Sequence, residues 1–319
     1  MTDGTDGRVP HRPDGTRSRL PASVVVPTVG RADLVRACVA SVAACDPAAD
    51  EIVVVDQSGE PAVRDAVREA GGNAARVVHC DGRGVARATN LGVREARNGA
   101  VLVTHDDCTV APDWVGAGFR HLQQQPDVLF TGRVKPPPGT VYVPSTKDDP
   151  EPHDFTGERA MGVLYPACMA FGRDVMLAFG GFDERDEMRS AEDNDLCYRW
   201  LDDGRGLRYE PDMVVWHHDW RTPEQIVQTH LAYARSEGAL YAKHLYARDW
   251  RVLPFLWWEL RTAVRARVGA LVKHRPRWHD ERREMLFPLL GALARGLVAE
   301  RRRAARQRAV PTSPSTRAR

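Results

Sequence analysis

The 319-residue sequence lacks several features that would place it in well-known classes. No two of its cysteines stand in the C-x-x-C pattern of a zinc or redox site, so we expect reduced, mostly buried thiols; they lie at positions 38, 45, 80, 108, 168 and 197. Residues 1–20 contain no apolar segment of the kind a signal peptide needs. No run approaches the ~20 apolar residues of a membrane-spanning helix. These absences predict a cytoplasmic protein.

The sequence also lacks a large net charge, but its small excess of +2 hides an asymmetry. Residues 251–319 carry 17 Lys and Arg against 5 Asp and Glu, a net of +12, which leaves residues 1–250 at −10. An acidic body argues against a nucleic-acid partner. The basic end, with Pro254–Trp258 beside Arg261, Arg265 and Arg267, predicts peripheral contact with the inner face of a membrane. Packing of this segment on the rest of the chain is the alternative.

Four apolar, β-branched runs alternate with helical patterns in the first third of the chain. The predicted strands are 22–27, 51–56, 76–79 and 100–104, and the predicted helices are 33–44, 60–70 and 84–96. This order predicts an α/β fold with a mainly parallel sheet covered by helices on both faces. Ligands bind beyond the carboxyl ends of such strands. One crevice is therefore expected to hold the polar residues at those ends, Thr28, Asp56, Asp81, Asp106 and Asp107.

The later sequence is less regular. Helices are predicted at 114–124, 191–202 and 223–244, and strands at 164–171 and 213–216. Residues 135–160, rich in Pro, Gly and acids, predict a loop that closes over a ligand.

The segment His105-Asp106-Asp107-Cys108 directly follows the fourth predicted strand. Adjacent carboxylates suit Mg²⁺ or Mn²⁺, which take oxygen ligands and share them with substrate phosphates. A solvated turn that caps the next helix is the alternative. The buried strand before the pair, and the other polar strand ends, favour the metal site.

Five segments in this order resemble the family 2 glycosyltransferases of the GT-A fold. They are VVVPTVGR (24–31), EIVVVDQSG (51–59), GRGVARATNLGVREA (82–96), VLVTHDDC (101–108) and GGFDER with AEDNDLCYRW (180–200). The resemblance implies an inverting transfer of a sugar from a nucleotide-diphosphate sugar to an acceptor hydroxyl. It covers residues 22 to about 220.

The resemblance also implies roles for residues that bind the donor. Asp56 matches the acid that contacts the base or ribose, and Pro27, Thr28 and Arg31 match the first nucleotide-binding loop. Further along, Arg87 and Asn90 match a family segment in which Arg and Asn stand side by side. Here Ala88-Thr89 separate them, which leaves open that Arg87 or Asn90 is only structural.

For the metal, the resemblance implies Asp107 as the ligand and Asp106 as its partner beside the ribose or sugar. His105 stands where the family often has a third acid, and we expect it to be a packing residue. A His after the strand at 213–216 often lies near the metal in similar enzymes. Side chains alternate along a strand, so only one of His217 and His218 faces the crevice; His218 is our choice. The predicted cofactor is Mn²⁺ or Mg²⁺.

The resemblance places the general base at Asp193, with Glu192 beside it. An inverting transfer needs a carboxylate that takes the proton of the attacking hydroxyl. Helical spacing puts Asp195 on another face, as a structural acid. Acids favoured by the dipole at a helix N-terminus are the alternative reading of this segment.

Four regions are predicted: a disordered tail (1–20), a GT-A catalytic domain (21–245), a basic helical extension (246–305) and a disordered tail (306–319). Within the domain, 21–110 is the nucleotide-binding half and 111–245 the acceptor half. The predicted donor is a UDP-, dTDP- or GDP-sugar, and the acceptor a glycan, a lipid-linked glycan or a small molecule. A sugar nucleotidyltransferase is one rival, although the loop after the first strand lacks its Gly-rich pattern. A non-catalytic nucleotide-sugar-binding protein or membrane assembly partner is the other.

Overall fold

The structure is a computed structural model that describes residues 18–140, 143, 145–218, 221–273 and 282–309. Its contacts divide the chain into two units. The first comprises the described residues within 1–183 and 196–220, and the second those within 184–195 and 221–319. The second unit includes a short internal segment, 184–195, as well as the carboxyl-terminal helices. The predicted domain division at residue 245 stays a prediction.

The described residues form a sheet of nine strands: β1 (Arg19–Thr28), β2 (Ala48–Asp56), β3 (Ala75–His79), β4 (Ala100–Val103), β5 (Cys108–Val110), β6 (Leu129–Lys135), β7 (His153–Asp154), β8 (Met169–Gly172) and β9 (Leu207–His217). The helices are α1 (Ala32–Ala43), α2 (Pro61–Gly71), α3 (Val85–Glu95), α4 (Trp114–Gln124), α5 (Arg173–Phe179), α6 (Glu192–Asp202), α7 (Pro223–Tyr246), α8 (Leu253–Lys273) and α9 (Arg282–Ala309).

The sheet has the order β3-β2-β1-β4-β8-β6-β9-β5, with β7 paired to β9. The first four strands are parallel, as the alternation of strands and helices predicted. The ladder joins Thr28 to Asp56, so β1 and β2 end level. Beyond β4 the sheet becomes mixed, because β8 runs antiparallel to both β4 and β6. The predicted α/β class is confirmed.

Both faces of the parallel strands are covered, which explains why their sequences are apolar without alternation. Val24 and Val26 pack in one buried cluster with Cys38 of α1. Val25, one position along the same strand, packs in the opposite cluster with Ala86 of α3. Each fully buried valine stabilises the fold by roughly 1.5–3 kcal/mol. This packing fixes the positions of the strand ends.

Several boundaries differ from the predicted ones. β1 begins at Arg19, inside the predicted tail 1–20, of which residues 1–17 lie outside the described part. Likewise, α9 continues to Ala309, inside the predicted tail 306–319. The strand predicted over 164–171 shortens to β8. Short strands β5, β6 and β7 have no counterpart in the prediction, because their pairing depends on partners distant in the chain.

The second unit is built on long helices. Thr222 caps α7, and its hydroxyl accepts the backbone N–H of Gln225 in a capping box. α7 and α9 pack closely where each has a glycine. A Cβ on Gly238 of α7 would lie 2.4 Å from the Leu289 carbonyl oxygen, and one on Gly296 would lie 2.5 Å from Ala242 Cβ. Across the described helices, we find none with the length and apolarity required to cross a membrane.

Candidate active site

The carboxyl ends of β1 and β4 bring the first group of predicted residues together. Pro27 is buried and lies opposite Val55 in the β1–β2 ladder. Next along β1, Thr28 is buried and its hydroxyl donates a 2.6 Å hydrogen bond to Asp106 Oδ2. Thus the loop after β4 is fastened to the end of β1, and Asp106 faces the first predicted nucleotide-binding loop.

Arg31 pairs with both acids of the predicted metal motif. Its Nε donates a 3.0 Å hydrogen bond to Asp106 Oδ2, and its Nη2 forms a close ion pair with Asp106 Oδ1. Its Nη1 lies 3.6 Å from Asp107 Oδ2. Gly30 turns the chain here with φ of +108°, and a Cβ at this position would lie 2.9 Å from Ser58 Cβ. Glycine therefore allows the loops after β1 and β2 to approach each other.

Asp107 is 4% exposed and lies among cationic and titratable groups. His217 Nε2 is 3.6 Å from Asp107 Oδ2. Burial alone would raise the pKa of Asp107, but the polar contact and charge of His217, together with His105 and Arg31, hold it well below its usual range. In contrast, burial raises the pKa of Asp106 despite its pairing with Arg31. Asp107 is therefore the carboxylate that stays ionised most readily.

Three donor atoms are close enough to surround one cation. Ligand atoms of Asp107, Cys108 and His217 all lie within 4.8 Å of one another. Burial raises the pKa of the Cys108 thiol well above its usual value, so this group keeps its proton. A protonated thiol is a poor ligand, whereas a carboxylate and an imidazole suit Mn²⁺. The residues present therefore fit a divalent cation held by Asp107 and His217.

His218 stays the predicted metal ligand from the sequence, but the structure places the ring of the other histidine, His217, beside the Asp107 carboxylate. His218, one residue past the end of β9, has its Nε2 2.8 Å from the hydroxyl of Thr109 in β5. Along β9, burial falls on Met213, Val215 and His217. Alternation places these three on one face, so continuing the apolar positions by two would have selected His217.

Asp56 is buried at the end of β2 and shapes its own loop. Its Oδ1 accepts the backbone N–H of Ser58 at 2.8 Å and the Ser58 hydroxyl at 2.6 Å. Its Oδ2 accepts the backbone N–H of Gly59 at 3.0 Å. These bonds hold the loop that faces Gly30. The contact with base or ribose predicted for Asp56 stays a prediction.

Sequence reasoning missed Gln57, which links two loops of the first unit. Its Nε2 donates to the Thr28 carbonyl oxygen at 3.1 Å, and its Oε1 accepts the backbone N–H of Gly84 at 2.6 Å. Gly84 is the N-cap of α3. One side chain therefore couples the end of β1 to the start of the helix that carries Arg87. No pattern in the sequence marks such a role.

The open question between Arg87 and Asn90 has a structural answer for Asn90. Its Nδ2 donates to the Phe182 carbonyl oxygen at 2.9 Å, and its Oδ1 accepts the Phe182 N–H at 3.0 Å. Gly181, with φ of +67°, lies so close that a Cβ would be 2.4 Å from Asn90 Oδ1. Asn90 therefore fastens this turn, and its predicted contact with the donor stays a prediction. Arg87 lies near Gly82, the first residue of the segment 82–96 that contains both Arg87 and Asn90.

Glu192 and Asp193 begin α6, within the second unit. Glu192 is 6% exposed, and its Oε2 makes no hydrogen bond with any described residue. Burial and the charge of Asp193 raise the pKa of Glu192 well above its usual value. Asp193 is half-buried; burial raises its pKa too, and the backbone N–H of Asn194 limits the rise. Asp193 is the more exposed of the two acids, so it is the carboxylate better placed to accept a proton from a substrate.

Asp195 has a structural role, as helical spacing suggested. It is fully buried, with Lys243 Nζ 2.6 Å and His244 Nε2 3.1 Å from its Oδ1. Both partners come from the end of α7. The adjacent Asn194 bonds Glu237 of the same helix. Together these contacts hold the first turn of α6 against α7.

The described geometry supports two chemical functions. In the first unit, an ionised carboxylate, an imidazole and a guanidinium converge at the edge of a parallel sheet, which is a setting for a cation and an anionic phosphate. In the second unit, a carboxylate of raised pKa is suited to accept a proton near neutral pH.

Part of the sequence matches a known protein family. Residues 23–178, about half of the chain, match the family described as Glycosyl transferase family 2. A pre-mycofactocin glycosyltransferase of Mycobacterium tuberculosis is 28% identical over 233 residues, which is 68% of this chain and 47% of that protein. A glucosyl-dolichyl phosphate glucuronosyltransferase of Haloferax volcanii is 28% identical over 144 residues, 39% of this chain and 44% of that protein. The chain thus spans about half the length of these relatives.

Solved structures show a similar fold. The mannosyltransferase PcManGT from Pyrobaculum calidifontis, in complex with GDP-Man and Mn²⁺, aligns with a TM-score of 0.58 at 19% identity and covers 90% of both chains. Residues 1–349 of TarS from S. aureus align with a TM-score of 0.50 at 16% identity, over 88% of this chain and 91% of that one.

Proposed function

We propose that this chain, a family 2 glycosyltransferase of the GT-A fold, moves a sugar from a nucleotide-diphosphate sugar to an acceptor hydroxyl with inversion at the anomeric carbon. The observation that carries this proposal is the convergence of Arg31, Asp106 and Asp107 at the ends of β1 and β4. In parallel sheets this edge is where ligands bind.

Donor binding is assigned to residues of the first unit. Arg31 is proposed to transfer its hydrogen bonds from the carboxylates to the donor diphosphate, because a guanidinium matches phosphate oxygens in the same forked geometry. Arg87 is proposed as a second phosphate contact. Asp56 and Thr28 are proposed to border the nucleoside, and Asp106 the ribose or sugar.

The proposed cofactor is Mn²⁺ or Mg²⁺, held by Asp107 and His217. When bound, such an ion neutralises charge on the leaving diphosphate. The pair of ligands favours Mn²⁺, since imidazole is a poor ligand for Mg²⁺. The PcManGT complex with Mn²⁺ is consistent with this choice.

Asp193 is proposed to act as the general base. Its raised pKa suits proton transfer near neutral pH, and its ionised form takes the proton of the attacking acceptor hydroxyl. Glu192, whose pKa is raised by burial and by the charge of Asp193, is proposed to donate a hydrogen bond to the substrate, because its Oε2 makes none with any residue the structure describes.

The sugar and acceptor are proposed as classes. Similar folds are described in complex with GDP-Man and with UDP-GlcNAc, so a UDP-, dTDP- or GDP-sugar is the proposed donor. The acceptor is proposed to be a hydroxyl of a glycan, a lipid-linked glycan or a small molecule, in polysaccharide, glycolipid or secondary-metabolite glycoside synthesis. Residues 135–160 are proposed to close over the donor, and the basic carboxyl-terminal region to meet a membrane on its cytoplasmic side.

A donor panel tests the proposal directly. The full-length protein is incubated with UDP-, dTDP- and GDP-sugars with and without MnCl₂, and released nucleoside diphosphate and thermal midpoint are measured. One donor is expected to raise the midpoint, because it binds the native state, and to be hydrolysed slowly. Asp107→Asn is expected to remove both effects.

The matched control is Asp113→Asn, an exposed carboxylate at the start of α4. It should respond to the donor as the unchanged protein does. Failure of every sugar nucleotide to shift the midpoint or to be hydrolysed, with a folded protein and Mn²⁺ present, would refute the proposed activity.

A further inference from the structure

α8 has apolar residues on two different faces. Val252, just before the helix, and Leu256 and Ala263 within it are buried and pack inside the second unit. The remaining turns expose large apolar side chains to solvent. Single exposed apolar residues are ordinary, but a row of them along one helix is not.

The exposed apolar residues of α8 form one stripe. Leu253, Trp257, Val264 and Val268 are separated by four, seven and four positions, which places them on the same side of a helix with 3.6 residues per turn. Trp257 is 68% exposed, more than any other large apolar residue of the described chain. This stripe lies on a different side of the helix from the buried residues.

α9 carries a similar stripe. Phe287, which is 63% exposed, is followed on the same side by Leu290, Leu297 and Val298. The two stripes belong to one surface, because the guanidinium of Arg267 in α8 lies over the Phe287 ring, 4.7 Å from its centroid. We call the surface made of the eight residues of these two stripes the apolar face.

Arginine borders the apolar face. Arg261 and Arg265 are exposed beside the stripe of α8, with Arg267 on its other side. Arg295, Arg301 and Arg302 are exposed on α9. The sequence from residue 251 onward carries a net charge of +12. Long basic side chains beside exposed tryptophan are typical of helices that lie in the interface of a bilayer.

We propose that the apolar face docks on the surface of an anionic lipid bilayer, with Trp257 and Phe287 inserted at the level of the headgroups and the arginines paired with lipid phosphates. A second copy of the chain is a poorer occupant. It would bring the same arginines against each other, and repulsion between like charges opposes that contact. Anionic lipid complements both the apolar stripe and the charge around it.

Vesicle flotation with the full-length protein tests this surface. Vesicles of phosphatidylcholine with 30% phosphatidylglycerol are compared with vesicles of phosphatidylcholine alone, without any nucleotide sugar. The protein is expected to float with the anionic vesicles and to remain largely unbound with the neutral ones. Binding should weaken as salt is raised, because the attraction to the headgroups is screened.

Two double variants separate the apolar and the electrostatic contributions. Trp257→Ser with Val264→Ser is expected to lower the partition coefficient at least about tenfold, because both side chains leave the lipid interface. Arg261→Gln with Arg265→Gln is expected to lower it about 25-fold, at about fivefold for each basic residue near the surface.

Each variant has a matched control in the first unit. Leu177→Ser changes an exposed apolar residue of α5, and Arg64→Gln with Arg68→Gln changes two exposed arginines of α2. Both controls should bind vesicles as the unchanged protein does, and all variants should keep its thermal midpoint. The proposal is overturned by equal binding of the apolar-face variants and their controls, by equal binding to neutral vesicles, or by a concentration-dependent dimer that the serine variant abolishes without any vesicle binding. None of these readouts depends on transferase activity.

Discussion

The Asp193→Asn variant tests whether the Asp193 carboxylate is the general base of the proposed transfer. The substitution replaces the acceptor of the proton by an amide of the same shape. A positioned general base contributes about 10²–10⁴-fold to rate. The expected loss in kcat is therefore about 10²–10⁴-fold, equivalent to about 3–5.5 kcal/mol of transition-state stabilisation. Donor binding should change little, because Asp193 is assigned to the acceptor hydroxyl and not to the nucleotide.

The pH profile gives a second measure of the same group. Burial raises the pKa of Asp193 from 3.8 to about 6. Because the base acts when deprotonated, kcat of the unchanged enzyme should be level above about pH 6.5 and fall about tenfold per unit below pH 6. If the base were an exposed aspartate, kcat would stay high down to about pH 4, near the usual pKa of that side chain.

The same substitution is expected to stabilise the fold at pH 7.5. A carboxyl whose pKa is raised by folding costs stability when it is ionised, fully above the folded value, and this cost disappears as pH falls below the unfolded value. A rise of about two units corresponds to at most about 3 kcal/mol, and solvent around the half-buried group reduces this to roughly 1–2 kcal/mol. The thermal midpoint of Asp193→Asn should exceed that of the unchanged protein at pH 7.5, with a smaller gap at pH 5.

Asp202→Asn, near the end of the same helix, is the matched control and should alter neither rate nor pH profile. Transfer would be measured by release of nucleoside diphosphate with a donor identified in the panel. If Asp193→Asn retains more than about a tenth of kcat, or if the profile keeps its break near pH 6 without this carboxyl, Asp193 is not the base.

Three further predictions concern the first unit. His217→Ala is expected to weaken the apparent Mn²⁺ affinity by at least about 10- to 100-fold in a metal titration of activity, since losing a group that only orients a ligand already costs this much, and His218→Ala to change it less than about threefold; equal effects would contradict the assignment. Asn90→Ala leaves two buried backbone groups of Phe182 unpaired, so a loss of about 2–4 kcal/mol in unfolding free energy is expected, with little change in donor KM; the reverse pattern would restore a ligand role. EDTA is expected to abolish transfer and added MnCl₂ to restore it, so full activity in EDTA would exclude a metal-dependent reaction.

The parallel half of the sheet follows from local sequence. Runs such as Val24–Val26 and Val53–Val55 are apolar at every position, which only a strand buried on both faces requires. The order of strands and helices predicts that the carboxyl ends of these strands share one edge of the sheet. At that edge Thr28 contacts Asp106.

The mixed half of the sheet could not be derived in this way. β5 has only three residues and pairs with β9 across more than a hundred positions. Its register decides that His217 faces Asp107, whereas the sequence presents two adjacent histidines with no difference between them. A tertiary contact, rather than any local propensity, selects between the two.

The roles of side chains that hydrogen-bond to the backbone could not be predicted from the sequence either. The sequence motif predicts that Asn90 contacts the donor, yet both polar atoms of its side-chain amide hydrogen-bond to the backbone of Phe182, 92 residues away. Gln57 lies in the segment 51–59 but had no predicted role, although its side chain joins two loops of the site. Such residues become recognisable only when the distant backbone they serve is in place.

The pairing of Arg31 with Asp106 and Asp107 has a consequence for the order of binding. A divalent cation that approaches Asp107 meets a carboxylate already neutralised by a guanidinium, so its affinity is lowered by part of that ion pair. A diphosphate that accepts the guanidinium releases the carboxylates. Metal and donor therefore relieve the same constraint, and each is expected to increase the affinity of the other by the same factor, as thermodynamic linkage requires.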